Sequence, residues 1–140
     1  MSDSLRDSIA AQRKLLADLL GTTMASEARR LALLLKDQAT LDEHLQALFL
    51  KLDYCKYVFV LDKEGIQISS TINRFGADEE QIGRDRSQRP YMDHMTDPNI
   101  DFVLSEAYIS RNKKRPSMTA IQTIRDGDGM RVGFLGVDYD

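Results

Sequence analysis

The sequence predicts an α+β protein in which a long N-terminal helix, or two helices in succession, packs on a five-stranded antiparallel sheet. Two observations predict it. Up to residue 52 the apolar residues recur at helical spacings of three and four, and from residue 53 they fall into short β-branched and aromatic runs separated by turn chemistry. The length of 140 residues, with 42% hydrophobic and 29% charged content, suits one compact core. Residues 1–52 and 53–140 are therefore expected to be a helical segment and a sheet-forming segment of a single structural unit.

Leu5, Ile9, Leu16 and Leu20 are four, seven and four residues apart, which lines them up on one helical face. Gly21-Thr22-Thr23 then offers a break or a kink, so one helix and two are both open. Farther on, Leu31, Leu34, Leu41, Leu45, Leu48 and Leu52 keep to alternating steps of three and four, with Gln38 in the one polar slot. The seam is read first as a helix packing on its own sheet and second as a coiled coil between chains, which sustained heptads would be needed to argue. Thr40 and Glu43 match a capping box, from which a helix can restart at residue 41.

Lys56–Leu61 is an apolar, β-branched and aromatic run, and Asp62-Lys63-Glu64-Gly65 supplies a turn with glycine where positive φ is tolerated. Ile66, Ile68 and Ser70 alternate with Gln67, Ser69 and Thr71, which completes a hairpin. Residues 72–100 lack such alternation and are expected to form a long connection with short helices over Asp78–Ile82 and Pro90–Met95, proline suiting a first helical turn. Strands over Phe102–Ser110, Ser117–Arg125 and Met130–Asp138 follow, joined by the turns RNKKRP (111–116) and DGDG (126–129).

Several function classes find no support. Nineteen basic and twenty-two acidic residues leave a net charge of −3, without the overall attraction that drives nonspecific nucleic-acid binding. The single cysteine, Cys55, excludes an internal disulfide and a four-cysteine zinc site and is read as a buried structural thiol. DGDG lacks the later oxygen ligands of a calcium loop and reads as a hairpin turn; RNKKRP reads as a solvated tip. His44 and His94 each lack a second ligand one helical turn away. With no glycine-rich phosphate cradle and no nucleophile elbow, no catalytic residue, metal or cofactor is expected. The chain shows no secretion leader and no long apolar span, and its opening Met-Ser-Asp-Ser reads as a native start.

One stretch demands an explanation. GRDRSQRPYM (83–92) gathers three arginines in a chain of negative net charge, opened by Gly83 and closed by the stiff Arg89-Pro90-Tyr91. Taken in order, YVFVLDKEGIQISST, GRDRSQRPYM, LSEAYISRNKKRPSMTAIQTIRD and MRVGFLGVDYD resemble the Cache, or PDC, sensor domains, which set a PAS-like sheet behind a long N-terminal helix. The resemblance rests on motifs over residues 53–140 and on architecture over residues 1–52.

It implies a noncatalytic module of bacterial-type signal transduction that binds an amino acid, carboxylate or amine between the sheet and the long connection. Arg89 corresponds to the arginine that holds a ligand carboxylate, Tyr91 to the first wall aromatic, Tyr108 to the strand tyrosine and Asp138 to the aspartate that receives an amine. Ser110 and Thr119 complete the implied ligand contacts. The chemistry agrees, since guanidinium offers paired donors to a planar carboxylate and carboxylate accepts from ammonium. Met92 departs from the second aromatic of amino-acid binders and admits a different carboxylate or amine. Val132, Phe134, Gly136 and Asp138 share a strand face, so the absent side chain of Gly136 is expected to leave room beside Asp138. Arg84 and Arg86 are read as loop-stabilising or exposed. The expected partners are a small molecule and a second copy bound through the N-terminal helix on its Leu31–Leu52 side, in the cytoplasm. The alternatives are an excised extracytoplasmic receptor domain and a ligand-free adaptor on the same fold.

Overall fold

The first helix, α1 (Ser2–Leu31), runs without interruption through Gly21-Thr22-Thr23. Thr22 and Thr23 turn their hydroxyls back to donate to the carbonyls of Asp18 and Leu19, which keeps both inside the helix. Gly21 faces Phe102, whose ring would stand 3.7 Å from a Cβ there. The computed structural model describes residues 2–105, 108–109 and 116–139, and only the backbone of residues 2, 3, 5, 6, 9, 13, 108, 109, 116 and 117.

A short turn leads into α2 (Gln38–Lys51), and its cap is Asp37 rather than Thr40. Asp37 Oδ1 accepts from the Thr40 N–H at 3.3 Å and Oδ2 from Thr40 Oγ1 at 2.8 Å, so Thr40 lies in the first turn as the capped residue. Leu31, Leu41, Leu45 and Leu48 are fully buried with Leu20 and Met24 of α1 against Val58, Val60, Ile72, Leu135 and Val137 of the sheet. Leu31, Leu41, Leu45 and Leu48 of the seam are thus spent on packing within this chain, and Leu34 and Leu52 lie half-buried against the same core.

Among the described residues the sheet has seven strands where five were expected: β1 (Cys55–Asp62), β2 (Thr71–Asn73), β3 (Gly76–Asp78), β4 (Phe102–Leu104), β5 (Tyr108–Ile109), β6 (Pro116–Arg125) and β7 (Arg131–Tyr139). Their order is β3-β2-β1-β7-β6-β4, with β5 also on β6, and every pairing is antiparallel. The extra strands are β3, which alternation does not announce, and the division of the expected Phe102–Ser110 strand into β4 and β5. The expected hairpin return is irregular before Thr71 because side chains replace its ladder. The Val60 N–H donates to Ser69 Oγ (2.8 Å), and Asp42 of α2 accepts from the Ser70 N–H (2.9 Å) and hydroxyl (2.6 Å). Asp126 closes the DGDG turn by accepting from the N–H groups of Asp128 and Met130.

The helices cover one face of the sheet. The other carries Phe59, Leu61, Ile121 and Phe134 beneath Tyr91, Met92 and Met95, which belong to the connection and its 3-10 helices Glu79–Gln81 and Pro90–Thr96. Arg131 anchors that connection, donating to the carbonyls of Met95 (2.6 Å), Asp97 (2.9 Å) and Ile100 (3.1 Å). Val132 does not share the face of Phe134: register shifts between Ile124 and Arg125, and Val132 packs with the helix-side core.

Candidate functional site

The candidate site forms where the connection crosses the outer end of the sheet. Gly65 turns with φ 88° and lets the connection come close, since a Cβ there would lie 2.9 Å from Ser87 Cβ. The Arg86 N–H donates to the Gly65 carbonyl (2.9 Å), the Gln67 N–H to the Arg84 carbonyl (2.9 Å) and the Gly83 N–H to the Gln67 carbonyl (2.8 Å). Residues 83–86 therefore run along residues 65–67. Above β1 and beside the end of β7 this leaves a cavity of about 340 Å³.

Three of the residues named from sequence line it together: Arg89, Tyr91 and Asp138. Arg89 is exposed and extended (φ −70°, ψ 144°) just ahead of Pro90, which starts the second 3-10 helix. That start turns Tyr91 inward, where its ring is buried 6.1 Å from the Phe59 ring at an interplanar angle of 49°. Asp138 reaches the cavity from β7, and its Oδ1 accepts from Thr119 Oγ1 at 2.6 Å. Thr119 is buried opposite Asp138 on β6 and touches that carboxylate rather than the cavity. The backbone of Tyr108 pairs with Ser117. Its side chain, and Ser110, lie outside the described residues.

Gly136 does not provide the expected space for a ligand. The Phe59 ring already fills it, its Cε2 and Cζ lying where no Cβ at position 136 could stand. The cavity lies beyond that ring, with Phe59 as part of its wall.

Sequence reasoning missed the polar half of the wall. Arg84 is exposed, but Arg86 is half-buried and enters the cavity. Its Nε donates to Gln67 Oε1 (3.1 Å) and its Nη2 to Gln81 Oε1 (2.8 Å). Gln67, buried, donates from Nε2 to the Ser69 carbonyl (2.9 Å) and to Thr71 Oγ1 (2.8 Å). Gln81 Nε2 donates to Asp78 Oδ2 (3.1 Å), and Asp78 Oδ1 accepts from the Glu80 N–H (3.1 Å). Burial pulls the Arg86 guanidinium below its ordinary value; Tyr91 opposes that, and Arg89 and Arg84 add to it. It stays charged at neutral pH. Gln81 and Arg86 lie five residues apart in the connection, whereas Gln67 comes from the strand return 19 residues before Arg86, and no local spacing announces that it joins them. Among the described residues no three His, Cys, Asp or Glu side chains gather as a metal site, and no helix is long and apolar enough to cross a membrane.

No protein-family profile and no curated protein matches the chain. Solved structures do. The extracellular domain assigned to the histidine kinase vpHK1S-Z8 matches with a TM-score of 0.74 at 19% identity, over 94% of this chain and 53% of that one. The sensor domain of the V. cholerae histidine kinase DctB matches with 0.64 at 15%, over 99% and 52%. The ligand-binding domain of the Campylobacter jejuni chemoreceptor Tlp3, solved with L-valine, matches with 0.59 at 18%, over 95% and 57%. The chain spans about half the length of these three. At such identities the likeness is one of fold, a helix-backed antiparallel sheet shared with these three domains.

Proposed function

We propose that this chain is a noncatalytic sensor domain that binds a small metabolite bearing a carboxylate, an amine or both in the cavity bounded by Arg89, Tyr91 and Asp138. One observation carries the reading: a guanidinium and a carboxylate line a single cavity of about 340 Å³ on the face opposite the helices. Among the described residues the Arg89 guanidinium has no hydrogen-bond or ion-pair partner, so a ligand carboxylate can take its donors. Solved domains of the same fold support it, the ligand-binding domain of Mlp24 having been solved with asparagine and that of Tlp3 with L-valine. Phe59 fills the space behind Gly136, which is the apolar filling that the adaptor alternative predicts, but the cavity beyond that ring keeps a largely polar wall, which supports a ligand there.

A ligand held between sheet and connection shifts the fold only by its differential affinity for two arrangements. The output element in this reading is α1, where Leu15 and Leu19 are 61% and 63% exposed and offer the surface for a homodimer. The extracellular setting of the vpHK1S-Z8 domain favours an extracytoplasmic placement over the cytoplasmic one expected from sequence.

The test is a thermal-shift screen of the protein against amino acids, small carboxylates and amines. A ligand should raise the melting point, and Arg89→Ala and Asp138→Asn should abolish the rise. No response across the panel would leave the adaptor reading standing. Sedimentation that shows only monomers at high concentration would remove the dimer.

A further inference from the structure

Arg86 is the second cation of the cavity, and nothing among the described residues neutralises it. Its Nε and Nη2 are held by the neutral carbonyl oxygens of Gln67 and Gln81, while Nη1 has no partner among the described residues. The carboxylates along the same wall do not pair with it. Asp78 has both oxygens occupied by the turn that follows, one by the Glu80 N–H and one by Gln81 Nε2. Asp138 accepts from Thr119 Oγ1. No ion pair joins Arg86 or Arg89 to any carboxylate among the described residues.

A half-buried charge oriented by two amides and left without a counter-ion offers its remaining donors to an anion that enters the cavity. The two amides fix the plane of the guanidinium and leave its remaining edge for a bidentate partner. We infer that Arg86 is a specificity-determining residue that receives a second carboxylate, so that the ligand of this cavity is a short di-acid, one acid group on Arg89 and the other on Arg86. This rests on the sensor reading given above and narrows it. A neutral amide in place of the second acid would leave Arg86 uncompensated, which is the kind of mismatch a hydrogen-bonding site rejects strongly.

The experiment is calorimetric titration of the protein with matched pairs, L-aspartate against L-asparagine and L-glutamate against L-glutamine, together with succinate to separate di-acid recognition from amine recognition at Asp138. At least one di-acid should bind about tenfold or more tightly than its neutral partner. Arg86→Gln should bring the pair to within about twofold through loss of di-acid affinity, and Arg86→Lys, which keeps the charge, should retain part of the preference. Melting of each unliganded variant identifies misfolding, and the wild-type preference decides the matter without the variants. Neutral amino acids binding as tightly as the acids would overturn the second-carboxylate role while leaving the sensor reading intact. Binding of none of the five compounds overturns it too, and the sensor reading then falls only if the wider metabolite screen is also silent.

Discussion

The ring of Phe59 stands over Gly136 on the neighbouring strand, in the space that any side chain at position 136 would need. The pair sets the inner limit of the cavity. Gly136→Ala should therefore force the ring toward Tyr91 and the cavity, at a cost of about 1–3 kcal/mol in urea denaturation and with weaker ligand binding. Unchanged stability together with unchanged binding would show that the contact is easily relaxed.

Thr119 holds Asp138 through a 2.6 Å bond made from a buried position. Thr119→Val keeps the shape and removes the donor, so it should cost about 1–3 kcal/mol of stability and also weaken binding of amine-bearing ligands. Thr119→Ser should restore most of both. A Val variant that binds normally would show that Asp138 needs no positioning.

Asp42 joins α2 to the strand return by accepting from both donors of Ser70. Removing the carboxylate leaves two buried donors unsatisfied, and Asp42→Ala should cost about 1–3 kcal/mol. Hydrogen exchange should quicken in residues 66–71 before the rest of the sheet responds. A double-mutant cycle with Ser70→Ala should show strong coupling, and additivity would count against the link.

Alkaline pH should loosen the fold in a defined window. Burial first, and the Asp138 charge second, push the Cys55 thiol up to about 12 from an ordinary 9.0, and burial raises Tyr139 in the same direction. A raised folded value means that the unfolded chain gives up its proton first. The contribution is complete below the unfolded thiol value and is lost as pH climbs from about 9 toward about 12. Urea midpoints at pH 8, 9.5 and 10.5 should fall in that order, and Cys55→Ala should flatten the part below pH 10, where tyrosine does not yet titrate. An equal slope in the variant would refute the assignment.

Long elements were legible because their signal is local. Three- and four-residue spacing marked both helices, and alternation with turn chemistry marked β1, β6 and β7 within a residue or two at each end. The irregular return before Thr71 was not legible, because a carboxylate 28 residues earlier supplies its hydrogen bonds. Nor was the fate of Gly136, which depends on the ring of Phe59 across the strand pair. Motif order pointed to Arg89, Tyr91 and Asp138, which line the candidate cavity, whereas Arg86 is oriented in part by Gln67, a partner 19 residues earlier that only folding brings near.

Asp138 faces the cavity, and its chain neighbours Val137 and Tyr139 are buried on the opposite side among the residues that bear on α1 and α2. The partition between chemical compartment and helical layer is consequently one backbone thick at this point. In the proposed sensor, a molecule pulling on the carboxylate would pull on the same strand whose other side floors the helices.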